Sequence, residues 1–176
     1  MNEPAASLSG SVSSGGAGAS GKRRAASAVL LSLGGLLGVT VPFLPWTRGL
    51  APSTGEPFAS DAFELAREGV DLRILAYVIM GVGILGVVAG LSILMGASRL
   101  GVPGAVTASI AGVMLTMAVV AGMAFAQMLG LPLVLSGGAD YSYSFFPALA
   151  ALAAATVLMV GGAILSVSHR RDPRRW

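Results

Sequence analysis

The segment ILAYVIMGVGILGVVAGLSILMGA, residues 74–97, decides the fold of this chain. It contains no charged side chain and no histidine. An α-helix of about 20 apolar residues crosses the hydrocarbon core of a bilayer, which is about 30 Å thick. The segment is therefore long enough and apolar enough to be a transmembrane helix.

Three further segments share this character and lie on both sides of the first. They also lack charged residues and histidine, and they cover residues 26–45, 104–128 and 146–168. The pattern predicts an all-α integral membrane protein with four transmembrane helices in a membrane domain over 26–168. Two loops on the outer side, residues 46–73 and 129–145, connect the helices, and little length remains for a soluble catalytic domain.

The composition agrees with a membrane protein and excludes several chemistries. Of 176 residues, 55% are hydrophobic and 11% are charged, whereas soluble domains carry about 25% charged residues. The chain has no cysteine, which excludes disulfides, thiolate metal sites, covalently attached haem and cysteine catalysis.

The N-terminal segment, residues 1–25, is rich in Ser, Gly and Ala and ends in the basic cluster Lys22-Arg23-Arg24. Such a composition buries too little apolar surface to order itself, so we expect a disordered tail. A basic cluster before an apolar run is also typical of a secretory signal. Residues 41–46 lack a small-residue cleavage pattern, which favours an uncleaved signal-anchor.

The basic residues predict the orientation. The N-terminal tail holds three Lys or Arg, the connection between the second and third helices one, and the tail over 169–176 four, against three in the two outer loops. Because basic residues concentrate on the cytoplasmic side, both termini are expected inside. The eight inner residues are also candidates for binding anionic lipid: Lys22, Arg23, Arg24, Arg99, Arg170, Arg171, Arg174 and Arg175.

The first outer loop carries local signals. Pro42 and Pro45 are expected to end the first helix, and Trp46 is expected at headgroup level. Asp61 followed by Glu64 is the spacing of a capping box, which predicts a short surface helix ending near Gly69. Its acidic residues either form a solvated helix face or bind a cation or basic partner.

Small residues recur four positions apart in the predicted helices. Close backbone approach at such pairs drives helix association in lipid. The pairs predict either packing within the bundle or contact with another chain. The candidates for helix packing are Gly34, Gly38, Gly86, Gly90, Gly112 and Gly122.

The sequence contains no motif typical of catalysis, metal binding or nucleotide binding. The predicted spans hold no ionisable residue, the usual mark of a proton relay or ion path. His169 is the only histidine, and it stands beside arginines, which ligate no metal. No nucleophile, phosphate-loop or dinucleotide pattern occurs. We therefore expect no catalytic residue, cofactor or metal, and no nucleic-acid partner because the basic tail lacks a reading element.

Two short segments carry a resemblance. Pro42-Phe43-Leu44-Pro45-Trp46-Thr47-Arg48, followed by Asp61-Ala62-Phe63-Glu64-Leu65-Ala66-Arg67, resembles small uncharacterised four-helix membrane proteins of actinobacteria. The layout, with a tryptophan after the first helix and a basic tail, is similar to the tryptophan-associated transmembrane protein family. The resemblance implies four crossings, a bacterial plasma membrane and no assigned activity.

Two functions remain open from the sequence. The first is a non-catalytic accessory or structural subunit, which would bind a larger membrane complex through the faces around Gly34, Gly38, Gly86 and Gly90. The alternative is a small permease acting as a homo-oligomer. In that case Ser109, Thr116 and Gln127, which share one face of the third predicted helix, would line its path.

Overall fold

The computed structural model describes residues 15–50, 55–67, 73–128 and 146–170 of the chain. It contains five α-helices, a short 3₁₀ turn and one β-hairpin in these ranges. In chain order they are α1 (Gly15–Thr40), the 3₁₀ turn (Val41–Phe43), β1 (Thr47–Leu50), β2 (Pro57–Ser60), α2 (Ala62–Arg67), α3 (Arg73–Leu94), α4 (Ser98–Met128) and α5 (Phe146–Arg170).

Four helices are long and apolar enough to cross a membrane, which confirms the four spans expected from sequence. The candidate spans are Gly21–Phe43, Arg73–Leu94, Arg99–Gly122 and Pro147–Ser168. Each of α1 and α4 packs against both α3 and α5, so α1 and α4 occupy diagonal corners of the bundle. Neighbouring helices run antiparallel, as contacts such as Gly35 with Gly83 and Ser109 with Met159 show.

The first long helix begins earlier than predicted. α1 starts at Gly15 rather than Ala26, so it extends into the segment expected to be a disordered tail. Extending a helix that tertiary packing already holds adds one hydrogen bond per residue without a new nucleus, which offsets the low helix propensity of the four glycines in residues 15–25. Residues 1–14 of the predicted tail lie outside the described residues.

The turn between α3 and α4 is tighter than predicted, because residues 98–103 belong to α4. Gly96 has a positive φ of 83°. The Gly96 amide donates to Ile93 O (3.1 Å) and the Ala97 amide to Ser92 O (2.9 Å). This pair of bonds is a Schellman motif, which ends α3. The chain reverses within three residues, and Pro103 then lies inside α4.

The prolines end α1 as expected. The helix stops at Thr40, and Pro42 lies in the 3₁₀ turn that follows. Pro42 disfavours helical geometry at the residue before it and lacks a backbone donor. The chain then turns across the end of the bundle.

A β-hairpin follows, which the sequence did not predict. β1 and β2 pair antiparallel, with Thr47 opposite Ser60 and Leu50 opposite Pro57. The Trp46 amide extends the ladder by donating to Ser60 O at 3.0 Å. Strands of four residues are too short to show a reliable alternation of polar and apolar positions.

The predicted capping box at α2 forms. Asp61 Oδ1 accepts hydrogen bonds from the Phe63 and Glu64 amides, each at 2.8 Å, and Glu64 Oε2 accepts one from the Asp61 amide at 3.2 Å. These bonds satisfy amides that have no partner within the helix. The described part of α2 ends at Arg67; the expected end at Gly69 lies outside the described residues, as does the second outer loop over 129–145.

Candidate functional site

Glycines bring α1 and α3 into backbone contact. A Cβ placed on Gly35 would lie 2.5 Å from Gly83 O, and one on Gly83 would lie 2.7 Å from Gly35 O. Gly38 faces Gly83 from one turn further along α1, and Gly90 lies against Ala28 O and Ser32. A larger residue at Gly35, Gly83 or Gly90 would clash with backbone atoms of the facing helix. Van der Waals contact between backbones therefore holds this seam together.

Met159 of α5 fills the hollow that three glycines leave at the centre of the bundle. A Cβ on Gly34, Gly86 or Gly112 would lie 3.0, 3.0 or 3.1 Å from the nearest Met159 side-chain atom. These glycines belong to α1, α3 and α4. Met159 is 2% exposed, so one flexible side chain from α5 touches all three other spans.

The glycines proposed as a partner surface are thus used inside the bundle. Gly34, Gly38, Gly86 and Gly90 are buried against neighbouring helices. The expectation that a larger complex binds through these faces needs correction, because a partner has no access to them. Gly112 is likewise buried, whereas a Cβ placed on Gly122 would have no neighbouring atom within 4 Å.

The seam between α4 and α5 is built with hydroxyl groups. Ser109 Oγ donates to Ala105 O in its own helix (2.7 Å) and lies 3.0 Å from Met159 O across the seam. Thr116 Oγ1 and Thr156 Oγ1 lie 2.9 Å apart. Both threonine hydroxyls also reach Gly112 O, at 2.9 and 3.4 Å. Each hydroxyl therefore has a partner within the protein.

Two of the three residues expected to line a permease path lie in this seam. Ser109 is buried and Thr116 is half-buried, and both face α5. The side chain of Gln127 lies outside the described part of the chain. The sequence placed Ser109 and Thr116 on one helix face correctly, but it contained no signal for Thr156 of α5 as the third member. A hydroxyl pair between two helices becomes visible only when the helices are docked.

An apolar groove of about 670 Å³ opens beside the same seam. Its α4 wall runs from Val106 to Met114 and its α5 wall from Val160 to Ser168. Ile110, Met114 and Ile164 are more than half exposed along it. The sequence did not predict this groove, because each helix contributes only one wall.

The outward face of α4 continues beyond the groove as a small and apolar surface. Met114 and Met117 are each 69% exposed, and Ala118 and Gly122 are exposed as well. Ala118 and Gly122 have the same spacing as the glycine pairs in the interior, but they face away from the bundle. They form a pair of small residues that no helix covers in the described part of the bundle, as Ala150 and Ala154 do on α5.

Basic residues lie together at one end of the bundle. Lys22, Arg23 and Arg24 on α1 and Arg99 on α4 are exposed, and Arg170 is the last residue of α5. The antiparallel arrangement puts these positions at the end opposite Arg73, β1, β2 and α2. Arg171, Arg174 and Arg175 lie outside the described residues.

The hairpin and α2 cover the other end of the bundle. Trp46, expected at headgroup level, is 5% exposed, and its Nε1 donates to Val41 O at 3.1 Å. The Phe63 ring contacts Phe43 in a tilted arrangement and Tyr77 edge to face, with ring centroids 5.4 and 5.9 Å away. The loop folds over the indole and buries it against the ends of α3 and α5, a tertiary effect that interfacial preference does not capture.

Comparison with known proteins identified no relative of this chain. No family model, curated protein or solved structure matches the chain. In the part of the chain that the structure describes, no three His, Asp or Glu side chains group as they would around a metal ion. The candidate functional site is the surface of α4 with the groove between α4 and α5, because apolar side chains of both helices are exposed there.

Proposed function

We propose that this chain is a non-catalytic accessory subunit of a larger membrane complex and that the outward face of α4 is its contact with the partner. The partner is a transmembrane helix of another chain. Helices associate in lipid where small residues allow close approach, and Ala118 and Gly122 present such a pair to the outside.

The observation that carries this proposal is that pairs of small residues with the same spacing differ in whether a neighbouring helix covers them. Gly34 and Gly38 on α1, and Gly86 and Gly90 on α3, lie against a neighbouring helix. Ala118 and Gly122 on α4 have none. In the most apolar part of each span, α4 also has the smallest fraction of buried residues, 22% compared with 44% for α1. An interface with another helix would bring α4 toward the burial of the other spans.

The proposed location is the bacterial plasma membrane, with both termini in the cytoplasm. The orientation rests on the basic residues, eight of which fall at the proposed cytoplasmic end and three at the other. The choice of a bacterial plasma membrane rests on the sequence resemblance alone. The lipid bilayer covers whatever apolar surface the partner leaves free.

Purification in mild detergent tests the proposal. The tagged full-length protein is extracted from its native membrane, and co-purifying proteins are identified and quantified by mass spectrometry. Wild type should retain a partner in fixed stoichiometry. Gly122→Leu should lose most of it, because the larger side chain prevents close approach of the two helices while pointing into open space in the isolated bundle.

Gly81→Leu is the matched control. Gly81 lies on α3, and nothing lies within 4 Å of a Cβ placed there, so this variant adds the same side chain to another open helix face. It should retain the partner at the wild-type level. Equal retention in both variants would refute the α4 interface. Recovery of only additional copies of the same chain would instead favour the homo-oligomeric permease, which a liposome flux assay then tests.

A further inference from the structure

The α5 wall of the groove between α4 and α5 has the depth of one bilayer leaflet, whereas the α4 wall, Val106 to Met114, lies within about 7 Å of the centre of its span. At about 1.5 Å per residue, the α5 wall begins at Val160, about 4 Å from the centre of the span Pro147–Ser168, and ends at Ser168, about 16 Å from that centre. The hydrocarbon of one leaflet is about 15 Å deep. The α5 wall thus runs from near the middle of the proposed bilayer to its interface.

The end of the groove at this interface is basic. By the same measure, Arg99 lies about 17 Å from the centre of the span Arg99–Gly122, and Arg170 lies about 19 Å from the centre of its span. The headgroup layer extends from about 15 to about 20–22 Å. Both arginines therefore lie at the depth of lipid phosphates.

No carboxylate competes for Arg99 within the described ranges. The acidic residues there with described side chains are Glu56, Asp61 and Glu64, and they belong to the loop at the opposite end. The lining of the groove itself is apolar except for Ser109 and Ser168. Both serine hydroxyls already donate to backbone carbonyls, at 2.7 Å (Ala105 O) and 3.0 Å (Leu165 O). The groove thus offers an apolar wall below a positive rim.

We propose that the groove binds one acyl chain of an anionic phospholipid, whose phosphate interacts with Arg99 and with the end of α5. An acyl chain matches the apolar walls and the depth of the α5 wall, and the negative headgroup matches the basic rim. The inference rests on membrane insertion but not on the accessory-subunit role. It concerns the part of α4 that lines the groove, Val106 to Met114, whereas the proposed partner contact is centred on Ala118 and Gly122.

Native mass spectrometry of the full-length protein, purified without any partner, tests the inference. The protein is titrated with dioleoyl phosphatidylglycerol or with dioleoyl phosphatidylcholine, and the bound lipid is counted. Wild type should bind one phosphatidylglycerol more tightly than phosphatidylcholine. Arg99→Gln should weaken the binding of phosphatidylglycerol about fivefold, the effect of one basic residue near an anionic surface. It should leave the binding of phosphatidylcholine unchanged.

Val113→Trp is the second variant, because Val113 lines the groove and is 39% exposed. The indole should fill the groove and reduce binding of both lipids at least fivefold. Val157→Trp and Arg73→Gln are matched controls. Val157 faces outward from α5 beyond the lining, and Arg73 begins a span at the opposite end. Both controls should bind lipid as wild type does.

Three results would overturn the inference. Wild type that binds the two lipids equally would show that the rim does not select for charge. Undiminished binding of phosphatidylglycerol by Val113→Trp would place the lipid elsewhere. A dimer in wild type that Val113→Trp abolishes would identify a second copy of the chain as the occupant. Loss of the membrane partner in the purification test, with lipid binding intact, would affect only the proposed function.

Discussion

The α1–α3 seam and the α4–α5 seam join helices of similar length in different ways. Between α1 and α3, Gly35 and Gly83 put the two backbones in direct contact. Between α4 and α5, the hydroxyls of Ser109, Thr116 and Thr156 bridge the helices, and a groove of about 670 Å³ opens beside them. The first seam leaves no room for a ligand, whereas the second leaves an apolar wall exposed.

The comparison indicates how a chain whose spans carry charged residues only at their ends can use one seam for stability and leave another free for binding. In lipid, apolar burial gives little preference for one helix neighbour over another, so packing and hydrogen bonds decide association. The glycine seam uses the closest packing available to two helices. The hydroxyl seam holds α4 through a few directional bonds, and it leaves the outward face of that helix free for lipid or a partner.

The largest effect is expected at the glycine seam. Gly35→Ala would place a Cβ 2.5 Å from Gly83 O and 2.6 Å from the Val87 amide nitrogen, both backbone atoms of α3 that cannot rotate away. We expect a loss of about 3 kcal/mol in the free energy of unfolding, the upper end for overpacking. Unfolding of the reconstituted protein by steric trapping measures it.

Gly81→Ala is the control for that substitution, because it makes the same change on α3 in open space. Alanine favours helix over glycine by up to about 1 kcal/mol, so stability should stay level or rise. Only Gly35→Ala should therefore lose stability. Equal shifts would mean that the glycine seam contributes nothing through close approach.

A smaller effect is expected at Met159, where the two kinds of seam meet. Met159→Ala removes the side chain that fills the hollow left by Gly34, Gly86 and Gly112. The lost contacts leave a cavity, but lipid supplies no hydrophobic transfer term, so we expect a loss of about 2 kcal/mol, the low end for large-to-small core changes. The same unfolding measurement applies.

Met159→Leu serves as the control, since a side chain of similar volume refills the hollow at a cost of less than about 1.5 kcal/mol. If the alanine variant were as stable as wild type, Met159 would not be the element that joins α5 to the other three spans.

Local chemistry made part of this fold predictable from sequence. The spans follow from the absence of charge over lengths that cross a bilayer, a property of each segment by itself. The capping box of α2 is similarly local, since Asp61 and Glu64 satisfy amides within three residues of each other. Such features need no knowledge of what lies on the other side of a helix.

The choice between interior and surface was not predictable in this way. Gly34 with Gly38 and Ala118 with Gly122 have the same spacing, yet the first pair is buried and the second is exposed. The difference depends on how each helix is rotated about its axis, which the contacts of all four spans decide together. The groove was even less predictable from sequence, because Ile110 and Ile164 form one surface only after α4 and α5 dock.

The smallest effect is expected at the hydroxyl seam. Thr156→Val keeps the shape of the side chain but removes the bonds to Thr116 Oγ1 and Gly112 O. Hydrogen bonds between spans contribute about 0.6 kcal/mol on average, so the change in unfolding free energy should be of that size.

A double-mutant cycle with Thr116→Val separates the hydroxyl pair from other effects. Ser168→Ala, which removes a bond within one helix, is the control. A coupling energy near zero would leave the hydroxyls without a role in joining α4 to α5, and helix packing alone would then have to explain why the groove stays open on one side.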